Sequence, residues 1–151
     1  MLRDALLHFA HFACIFALAS LLSGEAILLR PSLSRERLTQ LQLVDRWYGI
    51  SAGLVIVTGL LLVLFGAKGS AYYAHSTVFW TKMLIFVVIA LLSIVPTLAF
   101  LRWDRRRAAD GSVLLRDGEY RRLRGLLWSQ IALFLFLPLC AALMANGIAA
   151  W

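Results

Sequence analysis

Four apolar stretches, each about as long as a bilayer is thick, leave this chain few ways to fold. They run roughly over 6–29, 47–65, 77–101 and 126–148. A helix needs about 20 apolar residues, rising about 1.5 Å each, to cross about 30 Å of hydrocarbon. Four consecutive stretches of that length predict an all-α, antiparallel bundle of four transmembrane helices, a single integral-membrane domain over 1–151. The first follows Arg3 and ends in small residues, as a secretory signal does. It exceeds the apolar core of about 7–15 residues that such a signal carries, so it is read as a span. Composition agrees: 62% of the 151 residues are hydrophobic, where soluble domains run nearer to half.

The basic residues then give direction. A net charge of +7 would suit nucleic acid, but the arginines fall in two short loops between apolar spans, so no nucleic-acid partner is expected. The segment before the second span carries Arg30, Arg35, Arg37 and Arg46. The segment before the fourth carries Arg102, Arg105, Arg106, Arg107, Arg116, Arg121, Arg122 and Arg124. The intervening loop has only Lys68 and the amino end only Arg3. By the positive-inside rule, loops 30–46 and 102–125 are cytoplasmic and both termini lie outside. Trp47, Trp103 and Trp128 mark the inner boundary, Trp80 and Trp151 the outer one. Cys14 and Cys140 sit inside apolar runs without CxxC spacing and read as small packing residues.

Within this frame two polar layers stand out. His8 and His11 enter the first span from outside, Lys82 enters the third by a similar count, and the outer loop adds Lys68, Tyr72, Tyr73 and His75. Histidines three apart share a helix face. They cannot grip one iron from opposite sides, so a haem with two histidine ligands would need His75, and a single axial histidine is simpler to build. Lys82 would meet a haem propionate, place an anionic substrate or carry a proton. The plainer reading is a snorkelling lysine with its head among the phosphates. Deeper towards the inner face, Glu25, Ser51, Thr97 and Gln130 supply one polar group per helix. Ionised Glu25 needs a partner in hydrocarbon. Arg46, Arg102, Gln130 or a proton of its own are the candidates, with a structural clasp as the plainer alternative to a catalytic role. Pro96 and Pro138 lie inside spans and should bend their helices. "GEYRRLRGLLW" reads as an amphipathic helical lead into the fourth span. Ala17, Ser20 and Ser23 form a small-residue stripe suited to close helix contact, within the chain or in a homo-oligomer.

The segments "GISAGLVIVTGLLLVLFGAKGSAYY", "FWTKMLIFVVIALLSIVPTLAFLRW" and "LMANGIAAW" resemble the bacterial inner-membrane proteins grouped as domain of unknown function 2214. The resemblance rests on the turn with Lys68, Gly69, Tyr72 and Tyr73, on Lys82 and on the Pro96–Thr97 pair. His11, Glu25 and Asp45 fall at that family's histidine, glutamate and aspartate. Leu62 stands where many members carry arginine, so no anion site on the second helix is implied. More remotely the layout is similar to HemJ-type protoporphyrinogen oxidases and CopD-type copper-resistance membrane proteins. The first of these likenesses implies His11 (or His8) as a haem b ligand and Lys82 as its neighbouring cation. Trp80 departs from the histidine usual two residues before that lysine.

Three functions follow as expectations. The first is a haem b- or porphyrin-associated redox protein, HemJ-like if it is an enzyme, with cofactor contacts from His11, His8, Lys82, Tyr72 and Tyr73 and chemistry at Lys82 and Glu25. A porphyrin or a quinone would be its ligand. The second is a copper-handling protein using His8, His11 and His75. The third is an assembly subunit with no cofactor, embedded in lipid like the others.

Overall fold

A computed structural model describes residues 2–66, 69–106, 108–109 and 111–146. The elements in order are α1 (Leu2–Leu28), β1 (Ser32–Leu33), α2 (Arg35–Phe65), α3 (Gly69–Ala74), α4 (Thr77–Asp104), β2 (Val113–Leu114), α5 (Asp117–Phe134) and α6 (Phe136–Ala145). Four helical segments are long and apolar enough to cross a membrane: Leu2–Leu28, Arg35–Phe65, Thr77–Trp103 and Asp117–Leu143. The protein is an all-α, polytopic four-helix bundle. Its helices pack in a ring, with α1 against α2 and α5, and α4 against α2, α5 and α6. That leaves α1 and α4 diagonal across the bundle.

The second span starts at Arg35, well before the Trp47 expected from hydropathy, so most of the expected loop 30–46 is helix. The cause is local. Ser34 caps the helix by accepting from Arg37 N at 3.3 Å. Leu38 and Leu41 are then completely buried, which extends the bundle's core past the apolar run. Ser76 caps α4 in the same way, accepting from Phe79 N. The fourth span also starts early, at Asp117, and includes the "GEYRRLRGLLW" lead as helix.

The two prolines behave differently. A proline ring collides with the carbonyl four residues back, and for Pro138 that residue is Phe134, where α5 ends. The fourth span is accordingly broken at Leu135 into α5 and α6. Pro96 is buried inside α4, which runs unbroken through it.

The arginine-rich end is closed by a feature that hydropathy does not reveal. Ser32 pairs with Leu114 and Leu33 with Val113 in a two-stranded antiparallel ladder, extended by Leu115 N donating to Pro31 O at 3.0 Å. Gly111, at φ 78°, takes the left-handed turn before β2. Leu33 of the clasp packs in the same core as Phe100, Trp103 and Leu127, all four without exposed surface. Trp103 Nε1 donates to Glu119 Oε1 at 2.8 Å, and Gln42 Nε2 to Phe100 O at 2.9 Å. The most completely buried of the described residues therefore lie towards this end. Around the waist Phe9, Phe16, Leu84 and Leu91 are exposed, an apolar girdle that suits lipid and not water.

Candidate functional site

The buried residues recur at spacings of three, four or seven positions. The row is His11, Leu18, Leu22, Glu25 and Leu29 along α1 into the turn beyond it; on α2 it is Leu38, Leu41, Tyr48, Ser51, Val55 and Leu62. On α4 it includes Ile89, Pro96, Phe100 and Trp103; on α5 and α6, Leu123, Leu127, Gln130, Phe134 and Leu137. This is the seam spacing of helices packed knobs-into-holes. Polar residues on the seam face the bundle interior whatever their chemistry. They gather in two layers.

The layer towards the chain termini is basic. His11 is 9% exposed, and its Nδ1 lies 2.9 Å from Thr58 Oγ1. The Thr58 hydroxyl already donates to Leu54 O at 2.7 Å, so it accepts from the imidazole. Neutral His11 thus carries its proton on Nδ1, an assignment from the bonding network, which makes Nε2 the lone-pair nitrogen. Gly59 makes room for the ring: a Cβ there would meet His11 Cε1 at 3.2 Å. Lys82 is half-buried and lies within electrostatic reach of His11 from the diagonal helix, with Cys140 of α6 beside it. Among the described residues no carboxylate forms an ion pair with Lys82.

Other expected members of this layer stand apart. His8 is about half exposed, 3.6 Å from Asp4 Oδ2, and its Nδ1 donates to Asp4 O. His75 is exposed and bonds back to Ala71 O at 2.8 Å. Tyr73 packs its ring against Phe79 at 5.4 Å. Lys68 and the Tyr72 side chain lie outside the described residues, as do Arg107 and Trp151. Among the described residues no three His, Cys, Asp or Glu side chains are grouped to hold a metal ion, so His8, His11 and His75 do not converge. Ser20 and Ser23 face outward and bond to Phe16 O and Ala19 O of their own helix.

The second layer, nearer the arginine-rich end, is acidic. Glu25 is 2% exposed and Gln130 wholly buried. Glu25 Oε1 and Gln130 Nε2 have no hydrogen-bond partner. Thr97 Oγ1 donates to Asp45 Oδ1 at 2.6 Å, and Tyr48 OH approaches Gln130 Oε1 at 3.5 Å. Tyr48 feels both the Glu25 and Asp45 carboxyls, and Asp45 is the charged neighbour that acts on Glu25. Of the expected partners of Glu25, Arg46 and Arg102 are exposed and unpaired with it. Gln130 shares its layer without bonding to it.

The family described as predicted membrane protein, domain of unknown function 2214, matches residues 3–149. The chain belongs to this family. No curated protein and no solved structure matches the chain. For this DUF2214 protein, then, the chemistry of the site rests on its own residues. Residue-type reasoning passed over Thr58 and Tyr48 and gave Asp45 no role in the polar layer. The seam spacing could have found them: Leu38, Asp45 and Ala52 are seven apart on α2, as are Leu41, Tyr48 and Val55.

Proposed function

We propose that this family member is a haem b- or porphyrin-associated protein of a bacterial inner membrane, with its termini and basic layer on the periplasmic side. The observation that carries this reading is His11. Its Nδ1–H is fixed by Thr58, which sets the tautomer and turn of the ring as an outer partner does for a metal-ligating histidine. That leaves Nε2 as the lone-pair nitrogen of a ring that is 9% exposed. Among the described residues Lys82 has no acidic counterpart, which favours an anionic group such as a porphyrin carboxylate. These residues would suit one histidine ligand and one carboxylate contact. They do not fit two histidine ligands, because His8 and His75 are each turned to backbone carbonyls.

A bound haem would supply one-electron redox chemistry at its iron. In that reading His11 would hold the group through Nε2, Thr58 would keep His11 oriented, and Lys82 would meet the anionic edge. The orientation rests on the arginine-rich clasp facing the cytoplasm.

The purified protein in lipid nanodiscs is expected to show a Soret band, either as isolated or after titration with haem. His11→Ala should abolish that band. Phe12→Ala, which changes an exposed neighbour, should leave it in place, and Lys82→Ala should weaken haem affinity while keeping the spectrum. A protein that stays colourless through the haem titration would sink the reading.

A further inference from the structure

The acidic layer has no role in that reading, and it poses a separate problem. Glu25 and Asp45 bring two carboxyls into a membrane-embedded seam, and among the described residues no arginine or lysine is paired with either. Arg46 and Arg102 are exposed, as is Arg124 on α5. The groups facing the pair are Tyr48 from α2, Ser93 and Thr97 from α4, and Gln130 from α5. None carries positive charge. Two carboxylates without counter-charge in a low dielectric are untenable, so positive charge must come from outside the described residues.

We propose that Glu25, Asp45, Tyr48 and Gln130 form a small-cation site that takes an exchangeable sodium ion or proton. Gln130 gives evidence independent of the acids. Its amide is fully buried with Nε2 unpartnered, while its Oε1 sits at a long 3.5 Å from Tyr48 OH. Oxygen and nitrogen of an amide are interchangeable in such a network. Turned end for end, Gln130 donates to the Tyr48 oxygen and frees its carbonyl oxygen where the orphaned nitrogen stood. Tyr48 OH then remains free to donate to Ser93, its other partner. The layer now offers the free Glu25 Oε1, the Asp45 carboxylate and an amide oxygen. An all-oxygen set with carboxylates suits a hard cation. The same oxygens would hold a proton between them. Because the donors come from α1, α2 and α5, occupancy would tie three helices together.

Dicyclohexylcarbodiimide, an apolar reagent that modifies protonated carboxyls, tests this on the full-length protein in nanodiscs, read as a mass shift on the peptide containing Glu25 or Asp45. Sodium is varied against choline at fixed ionic strength, and pH is varied separately. Labelling suppressed tenfold or more by sodium at constant pH supports a sodium site. Labelling that falls with rising pH and ignores sodium supports a proton site. Labelling indifferent to both, or absent throughout, overturns the proposal and leaves a structural clasp. Glu25→Gln, a near-isostere, should remove the sodium or pH dependence of the wild-type thermal midpoint. An unchanged dependence in that variant would also count against the site. Neither readout involves haem, so this site stands or falls apart from the His11 reading.

Discussion

Trp103→Ala is expected to cost about 3–5 kcal/mol of stability, the range for removing a fully buried large aromatic. The indole has no exposed surface and packs tilted on Phe100 with ring centroids 5.4 Å apart. Its Nε1 also ties α4 to Glu119 of α5. Trp103→Phe keeps much of the packing and loses the hydrogen bond, so it should cost less, about 1–3 kcal/mol for the partner left unsatisfied. Glu119 has a second contact, Arg106 at 3.6 Å, which limits that loss. Thermal or denaturant unfolding in detergent, followed by tryptophan-independent circular dichroism, measures both. Equal, small losses for the two variants would mean that Trp103 is an interfacial anchor and not a core residue.

The second large effect concerns Thr97. Thr97→Val removes the donor to Asp45 while keeping the shape, and hydrogen bonds to charged groups are worth about 1.5–3 kcal/mol. The loss should be larger than for an ordinary surface hydroxyl because it strands a half-buried carboxyl. The double variant Asp45→Leu, Thr97→Val should lose less than Thr97→Val alone, since no polar group is then stranded. Such non-additivity identifies a coupled pair. Additive losses in the same unfolding assay would mean that the 2.6 Å contact contributes nothing as a pair.

Much of this architecture could be read from hydropathy, and the exceptions share a cause. Span lengths are set by the bilayer, so four apolar runs gave four helices. Hydropathy misplaces their starts at the arginine-rich end because α2 and α5 continue as polar-coated helices beyond the apolar runs. There Ser34 and the seam leucines Leu38, Leu41 and Leu123 hold the helix, and mean hydropathy is blind to both. The β1–β2 clasp was hidden for a similar reason, since two paired residues leave no periodic trace. His11, Lys82, Glu25 and Gln130 could be picked out because polar groups are costly in a span. Thr58 could not, since a threonine bonded to its own helix carbonyls is cheap there. Only its position one turn beyond Val55 and opposite His11 reveals its part. The absence of an arginine partner for Glu25 was equally unreadable, because it depends on which way the side chains of Arg46 and Arg102 turn.

The account depends on one claim, that the polar seam residues point inward at each other across the bundle. Paired cysteines test it directly, in a background with Cys14→Ala and Cys140→Ala. His11→Cys with Thr58→Cys, and Asp45→Cys with Thr97→Cys, should form disulfides on mild oxidation in native membranes. Phe12→Cys with Thr58→Cys, and Asp45→Cys with Leu98→Cys, pair the same partners with exposed neighbours and should remain reduced. Cross-linking of the exposed pairs with none at the seam pairs would contradict the packing from which both proposed sites are built.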